Sequence, residues 1–493
     1  VQPASYFNLA SAGDKLFYQR NSSSDSRPKL LVYDFKELKE TDLGEINGYE
    51  ISADGKKMLV SQNRNYAIIP LPSAPVQAKE FLNLSDMKVM LDRKAEWKQI
   101  YTEAWRQMRD FFYDKNMHGV DWKKEHDKYA PLVEYVNHRA DLSYIIGELI
   151  GELNAGHAYV GGGDYPKAER IGLGLLGAEL KRDNSGYYQI KTILKGQNWD
   201  KSARSPLTES GVNISEGEYI IRVDGRSTKD MNDIYESLVG KAEKQVTLTV
   251  NSKPGEEGAR DVVVIPVSDE QNLYYLRWIE GNIKKVSDAT DGKVGYIHIP
   301  DMGVNGLNWF AKYFYPQLRK DALIIDDRGN GGGNVSPQIL ERLNRELVMM
   351  NYRRNGTFNL NPSDMHLGPK VLLMDEFSAS DGDIFPYRFR ANKLGKLIGK
   401  RSWGGVVGIA GTLPFTDGGY LNKPEFAPYD IAGKNWIMEG YGVDPDIEVD
   451  NDPALEFEGT DQQLNKAIEV IKEELKNNPP KMMPPPPFPD KSK

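Results

Sequence analysis

Apolar and polar positions in the first 75 residues come in short bursts separated by turn residues. The run "SAGDKLFYQR", starting at Ser11, is echoed by "SADGKKMLVSQ", starting at Ser52. Each is followed by a brief apolar run, "LLVYDF" and "YAIIPL". Turn residues leading into alternating apolar positions read as strand–turn–strand. Lys15 and Lys57 stand 57 − 15 = 42 positions apart, within the roughly 40–50 residues of a propeller blade. Two blades cannot close a propeller, so the pattern predicts the tail of a larger one. A small β-meander packed on the next domain is the alternative.

The period then changes. In "EWKQIYTEAWRQMRDFF" the residues Trp97, Ile100, Tyr101, Ala104, Trp105, Met108 and Phe112 fall at helical spacing, which predicts an amphipathic helix whose aromatic stripe is core. A second helix, "LSYIIGELIGEL", is expected after Asp141 as N-cap and ends in "NAGHAYVGGGD". Residues 170–268 read as a compact β-rich module. "RIGLGLLGAEL" is a glycine-punctuated turn feeding a strand, Asp224-Gly225 forms a hairpin-like turn, "DIYESLVGK" is a short helix, and "KQVTLTVNS" and "DVVVIPV" are strands. Residues 272–450 alternate strands ("VGYIHIP", "ALIIDDR", "KVLLMDEF", "KLIGK") with helices ("GLNWFAKYFYPQL", "SPQILERLNRELV" and a broken "DIFPYRFRANKL"), the signature of α/β with a mainly parallel sheet. A charged amphipathic helix at 461–477 precedes the Pro-rich tail "PPKMMPPPPFPDKSK".

Composition narrows the chemistry. A chain of 493 residues exceeds one hydrophobic core and implies several domains. The net charge of −8, with no basic stripe, argues against nucleic acid as a partner. The absence of cysteine excludes disulfides, thiolate catalysis and zinc–sulfur sites. No apolar run approaches the ~18 residues of a membrane span. The first residue is Val, so the chain is expected to be processed or cut from something longer.

Four segments can carry chemistry: "NAGHAYV" with His157, "DDRGNGGGNVS" (326–336), "DEFSASDGDIF" with Ser380, and "WIMEGYGVDPDIEV" with Glu439. The glycines 331–333 follow a buried strand and bare their N–H groups to a ligand, phosphate or oxyanion. The loop lacks the Lys-Ser/Thr pair of a P-loop and the spacing of a dinucleotide fingerprint, which leaves a phosphate or nucleotide enzyme as a poor reading. Ser380 sits where a strand turns into a helix, as at a nucleophile elbow, though without the G-x-S-x-G pattern. Alone, Ser378 or Ser380 reads equally as a helix cap favoured by Asp381 and Asp383. A serine nucleophile needs a base. Of six histidines, His118, His126 and His138 lie in polar helical surroundings, His298 in a strand and His366 in a polar loop. His157 alone stands in a Gly-rich break where an imidazole can face a cleft.

Taken in order, these pieces resemble the tricorn proteases, within the wider group of tail-specific (C-terminal-processing) serine peptidases. The resemblance covers roughly residues 85–450 and is strongest in "YIHIPDMGVNGLNWFAKYFYPQLRKDALIIDDRGNGGGNVS", "DEFSASDGDIFP" and "GYGVDPDIEV". It implies a multidomain α+β chain: C-terminal blades of a β-propeller at 1–80, a helical subdomain with His157 at 85–165, a PDZ-like domain at 168–268, an α/β catalytic subdomain with a mainly parallel sheet at 272–455, and a C-terminal helix and tail at 456–493. The chain then corresponds to the C-terminal portion of such a protein.

The resemblance implies a serine peptidase acting on oligopeptides or unfolded chains. Ser380 would be the nucleophile, His157 the general base and Glu439 the acid of the relay. The N–H groups of Asp381, Gly331 and Gly332 would form the oxyanion hole. Gly172, Leu173 and Gly174 would be the carboxylate-binding loop of the PDZ-like module, which captures peptides by strand addition; the alternative is a groove covered by a neighbouring subdomain and a module that is merely a spacer. No cofactor or metal is implied. A homo-oligomer, a hexamer in the family, is implied, with a cytoplasmic location; the periplasm is the alternative. Two departures stand out. A serine precedes the histidine in tricorn proteases and links it to the glutamate; here the residue is Gly156. Many tail-specific peptidases use a Ser–Lys dyad, and Gly405 stands where the lysine would be. The rival reading is a non-catalytic PDZ-type peptide-binding scaffold.

Overall fold

The computed structural model describes residues 4–22, 27–354, 356, 358–411 and 413–492. The chain divides into two units, Val1–Asp92 and Arg93–Lys493. In the first, strands Ser5–Ala12, Lys15–Asn21, Lys29–Asp34 and Lys39–Gly44 form one antiparallel meander. Gly48–Ile51, Lys57–Gln62 and Asn65–Pro70 form a second. Lys15 and Lys57 each open the second strand of their sheet, which is the structural content of the 42-residue echo. Phe17, Leu30, Leu43, Met58 and Ala67 are fully buried in a core shared by both sheets.

The second unit begins with helices α1 (Arg93–Phe111), α2 (Trp122–Tyr129) and α3 (Arg139–Gly151). The aromatic stripe is core, with Trp97, Tyr101, Met108 and Phe112 packed against Leu142, Ile146 and Leu149 of α3. The cap of α3 differs from expectation. The helix starts at Arg139, capped by His138, and the Asp141 carboxylate reaches back to the His138 N–H at 3.0 Å. Asp141 is thus the third-position acid of a capping box.

A five-stranded antiparallel array follows: β1 (Ala178–Arg182), β2 (Tyr188–Ile193), β3 (Tyr219–Val223), β4 (Val246–Asn251) and β5 (Arg260–Val264), in the order β5-β4-β3-β2-β1 with a two-residue strand on β3. The short helix of this module is a 3-10 segment, Ile234–Leu238.

Helix α4 (Gln271–Ala289) leads into β6 (Val294–His298), α5 (Val304–Phe314), β7 (Ala322–Asp326), α6 (Ser336–Leu343), β8 (Lys370–Met374), α7 (Asp381–Ala391), β9 (Gly395–Gly399) and β10 (Ile447–Glu448). The strands run parallel in the order β6-β7-β8-β9-β10. One face is covered by α5, α6 and α7 through Phe310, Phe314, Ile339, Phe385 and Phe389. The other is covered by Val286 of α4 and by Leu464, Ala467 and Ile471 of the C-terminal helix (Gln462–Asn477). Both faces being buried explains why β7 and β8 read as unbroken apolar runs. Two expectations change here. α7 continues through Pro386, where the missing N–H leaves the Gly382 carbonyl without its intrahelical donor. α6 stops at Leu343, short of the predicted run.

Parallel pairing of β7 with β8 sets the glycine loop and the Ser380 loop side by side at the carboxyl ends of adjacent strands, where open α/β sheets bind their ligands.

Candidate active site

Ser380 is the hinge between β8 and α7. Its backbone is at φ 58°, ψ −119°, a left-handed conformation that costs a non-glycine residue about 1–3 kcal/mol. Three contacts hold it there. The Ser380 N–H donates to the Asp383 carboxylate at 2.8 Å, and the Ala379 N–H donates to the Asn330 carbonyl at 2.8 Å. Gly382 accommodates that carbonyl: a Cβ on residue 382 would lie 2.4 Å from Asn330 O. Ser378 is a structural neighbour. It is fully buried, with its hydroxyl donating to Asp327 O at 2.9 Å.

The glycine loop lies directly against this turn. Gly332 has φ +92°, and a Cβ there would stand 2.5 Å from Ser380 Cβ and 2.7 Å from Ala379 O. Among the described residues, the N–H groups of Gly331 and Asp381 have no hydrogen-bond partner. Asp381 opens α7, where N–H groups are free by construction and the helix dipole favours negative charge. The third expected donor is a correction. The Gly332 N–H is engaged by Asn330 Oδ1 at 2.9 Å, so what residue 332 contributes is its missing side chain.

Asn330 escaped the sequence reading, although an asparagine inside a glycine run is the visible signal. It is fully buried. Its Nδ2 donates to Ile299 O (3.0 Å) and to Asp327 Oδ1 (2.9 Å). Through its side chain it shapes the glycine loop, and through its carbonyl the turn before Ser380. Asp327 lies beneath it with Oδ2 buried and unpartnered. Burial, and then the neighbouring Asp326, Asp375, Asp381 and Asp383, push its carboxyl well above the usual range. Asp383, expected only as an acid favouring the helix start, accepts from Gly404 N–H (2.7 Å) and Gly405 N–H (3.2 Å) as well as Ser380. It ties the Ser380 turn to the segment after β9.

His157 sits in the break after α3 with φ 57°. Its ring stands edge-on to Trp403 and to Tyr159, each at a centroid distance of 6.2 Å. Its Nδ1 is buried without a hydrogen-bond partner. Burial lowers its affinity for a proton, opposed by the charges of Glu439 and Asp383, so the imidazole is neutral at pH 7 and able to accept a proton.

The Glu439 carboxylate is bonded to main-chain amides. Its Oε1 accepts from the Gly156 N–H at 2.7 Å, and its Oε2 accepts from Val406 N–H (2.7 Å) and Val407 N–H (3.0 Å). No hydrogen bond joins it to His157 among the described residues. The place of the expected serine side chain is taken: a Cβ on residue 156 would lie 3.1 Å from Glu439 Oε1 and 3.1 Å from Gly405 Cα. Glu439 therefore fastens the residue before His157 to the segment after Trp403. A second fastener lies behind it, where the buried Arg139 at the start of α3 pairs with buried Asp417.

Gly172–Gly174 is paired within its own module. Leu173 bridges Val239, and the Gly174 N–H donates to Leu238 O at 2.9 Å. The loop is thus closed on the Ile234–Leu238 segment. Among the described residues no group of acidic, His or Cys side chains could hold a metal ion, and no helix is long and apolar enough to cross a membrane.

Comparisons agree with this layout. Residues 93–151 match the family model "Tricorn protease C1 domain", 174–269 "Tricorn protease PDZ domain" and 293–449 "Peptidase family S41". The chain is 35% identical over 447 residues to a tricorn protease of Thermoplasma volcanium, covering 90% of this chain and 43% of that protein. It is 32% identical over 505 residues to "Tricorn protease homolog 1" of Streptomyces coelicolor, covering 98% and 47%. The crystal structure of the tricorn protease superposes with a TM-score of 0.86 at 30% identity, covering 97% of this chain and 47% of that one. The chain spans about half the length of these relatives.

Proposed function

Because the chain belongs to the tricorn protease family, we propose that it is a serine peptidase that cleaves oligopeptides or unfolded chains through an acyl-enzyme on Ser380. His157 takes the hydroxyl proton as Ser380 attacks the peptide carbonyl and returns it to the leaving amine. Water then releases the acyl group by the reverse sequence. The Gly331 and Asp381 N–H groups receive the oxyanion, and Gly332 keeps the space between them open. Glu439 is a positioning residue, which orients His157 through the Gly156 amide. This accounts for the loss of the bridging serine: the carboxylate holds the main chain next to His157 instead of a hydroxyl.

The observation that carries the reading is the strained Ser380 turn with two unengaged amides beside it. Such strain is maintained only where the surroundings enforce it, and it concentrates at reactive positions. Ser380→Ala should lower kcat on internally quenched peptides by several orders of magnitude; undiminished turnover would refute the assignment. We further read the two meanders of the first unit as propeller blades, residues 85–165, 168–268 and 272–455 as separate domains, a homo-oligomer as the working form, and the cytoplasm as its compartment. Likeness to tricorn proteases supports these, and native mass spectrometry tests the oligomer.

A further inference from the structure

A PDZ module captures a peptide by strand addition along a free sheet edge, with backbone N–H groups at one end of the groove receiving the terminal carboxylate. In this chain β1 is the free edge of the module's sheet. Gly177, at φ +67°, immediately precedes it. The Gly177 carbonyl accepts from the Leu194 N–H at 2.8 Å, on the β2 side. Its N–H takes no part in the strand ladder and stands at the start of the edge strand, where a bound carboxylate belongs.

That position is filled. The Gly177 N–H donates to the Glu270 carboxylate at 3.1 Å. Glu270 is the residue before α4, and its charge is among those felt by Tyr235 of the Ile234–Leu238 segment, behind the larger effect of burial. Three residues on, Leu273 is fully buried. Its Cδ1 stands 3.1 Å from where a Gly177 Cβ would be, and its Cδ2 3.0 Å from where a Gly196 Cβ would be. One turn later Arg277 pairs with Glu179 of β1 at 2.8 Å. A carboxylate and an apolar side chain are the end parts of a terminal peptide ligand, here supplied by the enzyme.

We infer that Glu270 and Leu273 are a built-in occupant of the carboxylate end of the PDZ groove, so that the module closes on its own chain and substrates are not selected there by a free C-terminus. This deepens the peptidase reading by excluding one mode of substrate choice and rests on that reading only for the word substrate. The groove geometry stands without it. Burial, followed by the charge of Asp269, raises the Glu270 carboxyl despite the Gly177 bond, as expected of a partly buried side chain.

The test is binding, read by fluorescence anisotropy in the full chain carrying Ser380→Ala. The probes are two labelled heptapeptides ending in Ala-Leu-Val, one a free acid and one a C-terminal amide. With Glu270 present, acid and amide should bind within about twofold of each other. With Glu270→Ala the acid should bind at least tenfold more tightly than the amide. Glu270→Gln, which keeps an oxygen for the Gly177 N–H, should behave as the parent. A tenfold preference for the acid while Glu270 is in place would overturn the inference. So would the absence of any preference in Glu270→Ala protein whose melting temperature matches the parent. Should Glu270→Ala unfold the module, hydrogen exchange of 172–180 in Glu270→Gln decides: unchanged protection supports a resident carboxylate-type bond, and full loss of protection refutes it. Mass spectrometry of the recovered peptides keeps the two readings separate. Cleavage by the Ser380→Ala protein would defeat the nucleophile assignment while leaving the acid-to-amide ratio to decide the groove.

Discussion

Gly332→Ala tests whether the glycine loop and the nucleophile turn form one rigid site. The added Cβ would stand 2.5 Å from Ser380 Cβ, 2.7 Å from Ala379 O and 3.0 Å from Asp381 N. All three are backbone or Cβ atoms, so no flexible side chain can swing aside. At φ +92° an alanine also pays about 1–2 kcal/mol for its backbone, and overpacking adds about 1–3 kcal/mol. The sum, about 2–5 kcal/mol, is a large part of a domain's stability and should lower the melting temperature of the catalytic unit in calorimetry. Relief by movement of about 1 Å shifts Ser380 and the Asp381 amide against each other, which costs on the order of 100-fold in kcat. The assay is kcat on a quenched peptide, measured where the variant is still folded. Gly331→Ala provides the stability control, since nothing lies within 4 Å of its added Cβ and its melting temperature should match the parent. If Gly332→Ala keeps kcat within threefold and melts normally, the loop does not abut the nucleophile as described.

Four further outcomes follow from the contacts. Glu439→Ala removes the acceptor of three main-chain N–H groups, each worth about 1–3 kcal/mol when left unpaired; melting temperature and kcat should both fall, and an unchanged melting curve would contradict the clamp. Burial depresses the proton affinity of His157, so kcat/KM should hold level around pH 7 and fall only below the ordinary imidazole value of about 6.5; an inflection above pH 7 would contradict a buried neutral base. His366, whose imidazole burial and then Lys370 push down to about 3, adds a stability loss as pH falls from about 6.5 towards that value, at about 1.4 kcal/mol per unit, readable by urea titration at pH 7 and pH 5. Asp417→Ala strands Arg139, 2% exposed, and should cost about 3–5 kcal/mol, measured by the same titration; a loss under 1 kcal/mol would show the pair to be solvated.

Periodicity exposed the elements because the catalytic sheet is buried on both faces and its helices carry a single apolar stripe. It also set His157, the glycine loop and Ser380 at element ends, where side chains and free N–H groups meet. Hydrogen bonds between distant segments were not legible. Glu439 reaches Gly156 across 283 positions, and nothing local distinguishes a carboxylate that clamps main-chain amides from one that orients an imidazole. Gly332 looks like a donor in the sequence, yet its N–H belongs to Asn330 two residues earlier. Gly172–Gly174 looks like a carboxylate loop, yet its strand-like pairing with Leu238–Gly240 spends the Gly174 N–H, and the amide that meets a carboxylate is that of Gly177. Helix ends shifted where a single side chain decided them, as His138 does for α3.

The central claim is that Ser380 is a nucleophile activated by His157. Reaction of the full chain with a fluorescent peptidyl phosphonate, followed by peptide mapping, tests it most directly. The account predicts one adduct, on Ser380, absent in Ser380→Ala and formed at least 100-fold more slowly in His157→Ala. An adduct on another residue, or labelling of Ser380 at an undiminished rate without His157, would contradict it.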